Sequence, residues 1–148
     1  TNKINELNKK KIKVKFIGEI NKLPNDIKKT LKKSINISKK NKKIIVNLAI
    51  NYGSKNELIN AINKTKKKLN IKNLEKNLYT KGLPNPDILI RTGGHQRLSN
   101  FLLWQLAYAE LFFLKKLWPD FKEHDLKKII NKYKKSKRNF GAIWSQII

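Results

Sequence analysis

The sequence predicts an α/β fold in which a parallel β-sheet is flanked by helices. Short apolar runs typical of strands alternate along the chain with longer segments whose apolar residues recur at helical spacing. Strands and helices that alternate in this way favour parallel pairing through right-handed crossovers. No linker in the 148 residues is long enough to divide the chain, so we predict a single domain over residues 1–148.

The first elements are predicted from two different hydrophobic patterns. Lysines alternate with apolar residues over 11–17, which indicates a strand with one buried face. Residues 25–39 place isoleucine and leucine at helical spacing among lysines, which predicts an amphipathic helix. The nearly continuous apolar run over 44–50 predicts a strand that is covered on both faces.

The middle of the chain is predicted to be helical. Ser54 and Glu57 have the spacing of a capping box, in which each side chain accepts a backbone hydrogen bond at the start of a helix. We therefore expect a helix over 54–70. A second, shorter helical piece is expected over 73–79, before a turn-rich stretch that contains two prolines.

The last third of the chain completes the alternation. Strands are expected over 87–91 and 111–114. Between them, residues 99–109 are almost uniformly apolar after Ser-Asn, which predicts a buried helix. A basic helix should run over 120–137, because Asp120 and Glu123 again have capping-box spacing.

The composition is strongly basic, with 35 Lys and Arg against 10 Asp and Glu, for a formal charge of +25. Of these cations 32 are lysines, and Lys, Asn and Ile are all encoded by A/T-rich codons, so base composition alone accounts for much of the charge. The lysines are spread along the chain, whereas a dedicated nucleic-acid surface is more often compact. Specific nucleic-acid binding is therefore not the favoured function.

Several other classes of site are excluded by composition. The chain has no cysteine, which excludes disulfides, a thiol nucleophile and thiolate zinc sites, and two histidines are too few for a His-rich metal cluster. No apolar run approaches the ~18 residues of a membrane span. The chain also lacks methionine, so a fragment or a processed chain is one interpretation.

Polar side chains that could bind a ligand or take part in catalysis are concentrated over 91–100, where a predicted strand ends. Arg91 and Arg97 can each grip phosphate oxygens with a planar guanidinium. Gly93-Gly94 can form an anion-binding nest of backbone N–H groups, and Ser99 adds a hydroxyl at a predicted helix start. Together these groups could hold a diphosphate. The alternative is an ordinary turn with a helix cap and two solvated arginines.

Glu110 is the second candidate, because it ends the predicted apolar helix, where a buried carboxylate requires a cation or a metal. Mg²⁺ prefers one or two carboxylates together with phosphate oxygens, so a diphosphate site would favour a metal-binding role. A plain surface acid at a helix terminus remains the alternative. His95, alone in its loop, is more readily explained as a solvated side chain.

The residues that carry these features resemble a known family. From Asp87 the chain reads Asp-Ile-Leu-Ile-Arg-Thr-Gly-Gly-His-Gln-Arg-Leu-Ser-Asn-Phe-Leu-Leu-Trp-Gln-Leu-Ala-Tyr-Ala-Glu-Leu-Phe-Phe, and Leu-Trp-Pro-Asp-Phe follows at 117–121. This stretch closely resembles the C-terminal signature of the cis-prenyltransferases, nearest to bacterial isoprenyl transferases of the undecaprenyl diphosphate synthase type. Asn-Leu-Ala-Ile-Asn-Tyr-Gly at 47–53 resembles a strand and turn of the same family, and Phe16-Ile-Gly18 resembles its preceding strand end.

The resemblance implies cis-prenyl chain elongation, in which isopentenyl diphosphate is condensed with an allylic diphosphate such as farnesyl diphosphate. The product would be a polyprenyl diphosphate, the precursor of a cell-wall lipid carrier. Four residues would bind the isopentenyl diphosphate: Arg91, Arg97, Leu98 and Ser99. Glu110 would help to bind Mg²⁺, in a role that could extend across a homodimer. Such a protein is expected in the cytoplasm, with at most peripheral contact to the inner membrane.

The chain also departs from the family. The first strands and the His-x-x-Met-Asp-Gly-Asn-Gly-Arg-Trp motif, which holds the allylic diphosphate and contains the catalytic Asp, have no counterpart here. We therefore expect a fold that lacks the N-terminal strands, no catalytic residue in this chain, and no turnover by the chain alone. His95 stands where the family usually has Glu, and 139–141 read Asn-Phe-Gly in place of Arg-Phe-Gly, with Arg138 one position early.

Two other functions stay open at this point. The chain could be a noncatalytic subunit or fragment that completes a composite site with another chain. It could also be a basic nucleic-acid-binding module, whose binding would be strongly salt-dependent and insensitive to changes at Arg91 or Glu110.

Overall fold

A computed structural model describes residues 2–137. The chain forms two compact units, Thr1–Leu83 and Pro84–Ile148, and each contains a two-stranded parallel sheet. The first unit contains α1 (Asn2–Lys9), β1 (Ile12–Ile17), α2 (Asn25–Ser38), β2 (Ile44–Ala49), α3 (Ser54–Lys64) and α4 (Ile71–Glu75). The second contains β3 (Ile88–Arg91), β4 (Glu110–Phe113) and α5 (Glu123–Lys135). The α/β fold with parallel strands is confirmed, and the single domain stays a prediction.

The strands of the first unit lie within a residue or two of their predicted positions. β1 and β2 pair in parallel, from Ile12 opposite Ile44 to Ile17 opposite Ala49. α2 lies along this sheet and supplies Leu31 to the core, as its apolar spacing predicts. The polar residues at the start of the chain form α1, a helix that the sequence analysis did not predict.

One edge of this sheet is completed by side chains. The Val14 backbone N–H donates to the Ser38 hydroxyl at 3.0 Å, and the Asn41 amide donates to the Ile12 carbonyl oxygen at 2.8 Å. Ser38 is fully buried, so its hydroxyl replaces the hydrogen-bond partner that a further strand would give to β1.

The prediction that both faces of the second strand are covered is wrong. Ile44, Ile45 and Leu48 on β2 expose 52%, 43% and 45% of their surface. An apolar run indicates that a strand is suited to burial, but whether the strand is covered depends on which elements lie against it.

The predicted helix over 54–70 begins at Ser54 as expected, but it is shorter and is capped differently. It ends at Lys64, and Gly53 is the N-cap residue. Ser54 and Glu57 are not a capping box, because Glu57 faces the interior with 1% exposure and accepts hydrogen bonds from the Tyr52 hydroxyl at 2.5 Å and the Tyr79 N–H at 2.7 Å.

In the second unit, β3 and β4 pair in parallel, from Ile88 opposite Glu110 to Arg91 opposite Phe113. The predicted strand over 111–114 therefore begins one residue earlier, and Glu110 starts a strand instead of ending a helix.

The predicted helix over 120–137 begins at Glu123, and its capping acid is Asp125. The Asp125 carboxylate accepts the Lys122 backbone N–H at 2.9 Å and two contacts from the Lys116 ammonium at 2.8 and 2.9 Å. The hydrogen bond from Lys116 is the main reason that the pKa of Asp125 lies below its ordinary value, and the bond from Lys122 adds to it.

The predicted helix over 99–109 is wrong. Ser99, Asn100 and Leu102 have φ of +50°, +62° and +44°, in the left-handed region, and a right-handed helix cannot continue through such residues. The segment is a series of turns that leaves Phe101, Leu103 and Tyr108 substantially exposed. Within residues 2–137, no helix combines the length and apolar character that crossing a bilayer requires.

Gly18 should tolerate no side chain, because the ends of β1 and β2 meet there. A Cβ at Gly18 would lie 2.1 Å from the Ile50 carbonyl oxygen, and its φ is +116°. We expect Gly18→Ala to lower the free energy of unfolding by about 2–4 kcal/mol in urea titrations followed by circular dichroism. Gly82→Ala is the control, since Gly82 also has a positive φ but no atom within 4 Å, and should cost about 1 kcal/mol. Equal losses would contradict the steric argument.

Candidate functional site

The polar segment over 91–100 lies at the carboxyl end of β3, where parallel sheets bind their ligands. Gly93 and Gly94 have φ of +90° and +80°, which lets the chain turn sharply after the strand. The predicted anion nest is wrong, because both glycine N–H groups are used inside the protein. Gly93 donates to the Lys116 carbonyl oxygen at 2.9 Å and Gly94 to that of Leu114 at 2.8 Å.

Arg91 connects the strand end to the loop that follows. Its Nη1 donates to the Arg97 carbonyl oxygen and, at 3.0 Å, to the Ser99 hydroxyl oxygen. Its own carbonyl oxygen accepts the Leu114 N–H at 2.8 Å, so the backbone of Arg91 is fixed as well. Guanidinium has five N–H donors, and the hydrogens on Nε and Nη2 have no acceptor among residues 2–137. They remain available to an anion.

The structure brings the other three predicted binding residues together in the same loop. Arg97 is exposed, and its guanidinium has no partner within the described part of the chain. Leu98 is half-buried and accepts the Phe101 N–H at 3.1 Å. Ser99 is exposed, and with φ of +50° it does not begin a helix, so the predicted helix-dipole contribution is wrong. Its hydroxyl hydrogen is still free to donate, because the oxygen is the acceptor from Arg91.

Glu110 lies at the other end of the β3–β4 pair. It is opposite Ile88, three residues before Arg91, and its N–H donates to the Asp87 carbonyl oxygen at 2.9 Å. Three strand steps correspond to about 10 Å. Strand register therefore does not bring Glu110 to the Arg91 end of the sheet. The half-buried carboxylate has no hydrogen-bond or ion-pair partner within residues 2–137.

The charge and geometry of the loop suit a phosphate group better than a metal. The Arg91 guanidinium contacts the Arg97 carbonyl oxygen and the Ser99 hydroxyl, Arg97 adds a second guanidinium to the same loop, and the backbone is held by hydrogen bonds at several points. No group of three or more His, Cys, Asp or Glu side chains that could hold a metal ion occurs within residues 2–137. A lone carboxylate such as Glu110 fits Mg²⁺ that is already bound by phosphate oxygens, and does not fit a cage built from protein ligands alone.

His95 is exposed in the same loop, and the described part of the chain gives it no partner. This placement agrees with a solvated histidine. The departure at 138–141, where Asn-Phe-Gly replaces Arg-Phe-Gly, lies outside the described residues.

The comparisons with known proteins decide the family. Residues 1–141 match the sequence model of a family described as "Putative undecaprenyl diphosphate synthase".

The chain belongs to this prenyltransferase family.

Curated relatives agree with this assignment. The chain is 43% identical over 148 residues to the isoprenyl transferase of Clostridium tetani, an alignment that covers 93% of this chain and 58% of the relative. It is 42% identical to the isoprenyl transferase of Rickettsia sibirica, covering 93% and 63% of the two chains. The chain thus spans about three-fifths of the length of these relatives.

Solved structures show the same fold. A probable undecaprenyl diphosphate synthase from Campylobacter jejuni is 34% identical with a TM-score of 0.85, covering 93% of this chain and 67% of that one. Lavandulyl diphosphate synthase from Lavandula x intermedia, solved in complex with dimethylallyl diphosphate, is 33% identical with a TM-score of 0.87, covering 93% and 64%.

Sequence reasoning missed the buried network around Glu57. Besides its bonds to Tyr52 and Tyr79, the network includes the Asn60 amide, which donates to the Tyr79 hydroxyl at 3.0 Å, and an edge-to-face contact of the two rings. A signal was present in the small residues Ser54 and Ala61, which share the buried face of α3 with Glu57. Small residues on one face of a helix indicate close packing, and an acid among them must be hydrogen-bonded.

Removing the Arg91 side chain should loosen the loop. Arg91→Ala deletes a charge-assisted contact to Arg97 and Ser99, so the turn closed by the Phe101 N–H should open more often. We expect exchange of the Phe101 amide hydrogen, followed by NMR, to accelerate by about tenfold or more. Arg97→Ala is the matched control, because its side chain makes no bond within residues 2–137, and should leave this rate unchanged. Identical rates in the two variants would show that Arg91 does not hold the loop.

Proposed function

We propose that this chain binds isopentenyl diphosphate and supplies that part of the site for cis-prenyl chain elongation. The reaction condenses isopentenyl diphosphate with an allylic diphosphate, such as farnesyl diphosphate, toward a polyprenyl diphosphate precursor of a lipid carrier. The observation that carries the proposal is the Arg91 guanidinium, which fixes Arg97 and Ser99 beside it at the carboxyl end of β3. Membership of the prenyltransferase family supports the choice of ligand.

The proposed contacts follow from the donors that remain free. The diphosphate would accept hydrogen bonds from Arg97 and from Nε and Nη2 of Arg91, as charge-assisted pairs in which guanidinium matches phosphate. Ser99 would donate its hydroxyl hydrogen, and half-buried Leu98 would fix the backbone between Arg97 and Ser99. These residues bind and orient the donor, so its double bond faces the allylic carbon at a fixed distance.

Chemistry at the allylic partner accounts for the rest of the reaction. The allylic C–O bond breaks and diphosphate leaves with the electron pair, while the double bond of the donor forms the new C–C bond. Loss of a proton from the condensation product then gives the new alkene. The catalytic Asp expected from the family lies outside this chain, so we assign no catalytic residue here. Mg²⁺ would stabilise the charge on the departing diphosphate.

We propose Glu110 as a ligand of Mg²⁺ together with diphosphate oxygens. Its carboxylate is half-buried and has no partner within residues 2–137, which suits a cation ligand. The β3–β4 register places it about 10 Å from the Arg91 end of the sheet, which supports action across a homodimer on the diphosphate of a second copy. The oligomeric state of the chain should therefore be measured together with its binding of Mg²⁺.

We further propose that the isolated chain binds the donor without turnover, as the C-terminal portion of an isoprenyl transferase domain. It spans about three-fifths of its curated relatives and has no counterpart to the family's catalytic Asp motif. The whole protein would act in the cytoplasm, with membrane contact limited to the periphery. The alternatives are a noncatalytic subunit and a nucleic-acid-binding module. The nucleic-acid alternative is supported only by the formal charge of +25.

Calorimetric titration with isopentenyl diphosphate tests the proposal. Arg97→Ala removes a guanidinium that makes no bond within residues 2–137, so any loss reports on the ligand. We expect the dissociation constant to rise by about tenfold or more, as for one charge-assisted contact. Lys134→Ala, which removes an exposed cation of α5, should change it by less than about twofold.

A product assay and a competition experiment with RNA complete the test. Addition of farnesyl diphosphate and Mg²⁺ should give no elongated product with the 148-residue chain. Measurable product would overturn the claim that the chain is inactive, but not the proposed binding site. Equal weakening in Arg97→Ala and Lys134→Ala would overturn the binding site. Displacement of the donor by RNA, abolished by salt, would favour the nucleic-acid alternative.

A further inference from the structure

A cationic pocket lies in the first unit, between the end of α3 and α4. It has a volume of about 220 Å³ and six lining residues: Thr65, Lys66, Lys67, Asn73, Lys76 and Asn77. Every lining side chain is polar, and three of them are lysines. None of these residues belongs to the loop over 91–100.

The floor of this pocket is held rigidly by hydrogen bonds. The Asn77 amide donates to the Thr65 hydroxyl oxygen at 3.0 Å and to the Asn73 carbonyl oxygen at 3.2 Å. Thr65 donates onward to the Ala61 carbonyl oxygen at 2.8 Å, and the Asn73 amide donates to that of Lys68 at 2.9 Å. Thr65, Asn73 and Asn77 are half-buried, so the floor is preorganised before any ligand arrives.

The lysines at the rim are not neutralised. Lys66, Lys67 and Lys76 are exposed, and none of their ammonium groups has a hydrogen bond or ion pair within residues 2–137. Some lysines elsewhere are paired, such as Lys22 with Glu19 and Lys116 with Asp125, each at 2.8 Å. The only carboxylate over 58–86 is Glu75, which does not line the pocket. The three ammonium groups therefore repel one another around an uncharged floor.

We propose that this pocket binds a small free polyanion, of which inorganic diphosphate is the representative. The volume is below the range of about 300–1,000 Å³ for drug-sized ligands, which favours a compact anion. Three cations suit two linked phosphate groups, and their attraction is stronger at close range than that of the diffuse charge on the rest of the chain. With no apolar side chain in the lining, the pocket offers nothing to a hydrocarbon tail.

NMR titration of the ¹⁵N-labelled chain with inorganic diphosphate in about 0.15 M salt tests the proposal, because surface charges at a distance are largely screened there. We expect saturable shifts of amides over 65–77. The triple variant Lys66→Gln, Lys67→Gln, Lys76→Gln should bind about tenfold or more weakly at these amides. The control Lys29→Gln, Lys32→Gln, Lys39→Gln removes the same charge from exposed lysines of α2 and its end, and should bind within about twofold of wild type.

Equal weakening in the two triple variants, or shifts spread over lysines throughout the chain, would overturn the pocket. The positions of the shifted amides in the wild-type chain test the pocket even if the pocket variant does not fold. Isopentenyl diphosphate should bind over 65–77 no more tightly than inorganic diphosphate, and a clear preference for the ester would contradict a site that reads charge alone. Arg97→Ala should leave the shifts over 65–77 unchanged, so failure here is separate from failure of the proposed donor site.

Discussion

The Arg91 guanidinium is the contact on which the candidate site depends. Within residues 97–102, Ser99, Asn100 and Leu102 have left-handed conformations and Phe101 is exposed, so helical hydrogen bonding does not hold this loop in place. The bonds from Arg91 to the Arg97 carbonyl oxygen and the Ser99 hydroxyl supply that restraint. Arg91 can do this because it is the last residue of β3, where its own carbonyl oxygen accepts the Leu114 N–H.

The same restraint extends to α5 through one lysine. The Lys116 carbonyl oxygen accepts the Gly93 N–H, while its ammonium group binds Asp125 in the first turn of the helix. The glycine turn, the segment after β4 and the start of α5 are therefore connected by consecutive hydrogen bonds. Because the glycine N–H groups are used in this frame, an anion bound at this loop would be held by side chains instead of these two backbone groups.

The sequence predicted the strands well because their signal is local. Alternation over 11–17 and apolar runs over 44–50 and 87–91 place three strands within a residue or two. Prediction failed where the deciding partner is distant in sequence. Uniform apolarity over 99–109 contains no sign of the positive φ at Leu102, and capping-box spacing at Glu57 does not show that Tyr79 lies beside it.

The arrangement of the candidate residues was predicted only in part, for the same reason. A strand end followed by two glycines between two arginines is visible in the sequence, and the structure places Arg91, Arg97 and Ser99 together there. The acceptor of each glycine N–H is a carbonyl group twenty or more residues away, so the local sequence pattern could not show whether the nest forms. The position of Glu110 depends on the β3–β4 register, which neither strand specifies alone.

A crystal structure of the chain with isopentenyl diphosphate tests the central claim most directly. We expect diphosphate density in contact with the guanidinium groups of Arg91 and Arg97 and the hydroxyl of Ser99. Density for the donor elsewhere, with this loop unchanged and empty at a saturating concentration of ligand, would contradict it.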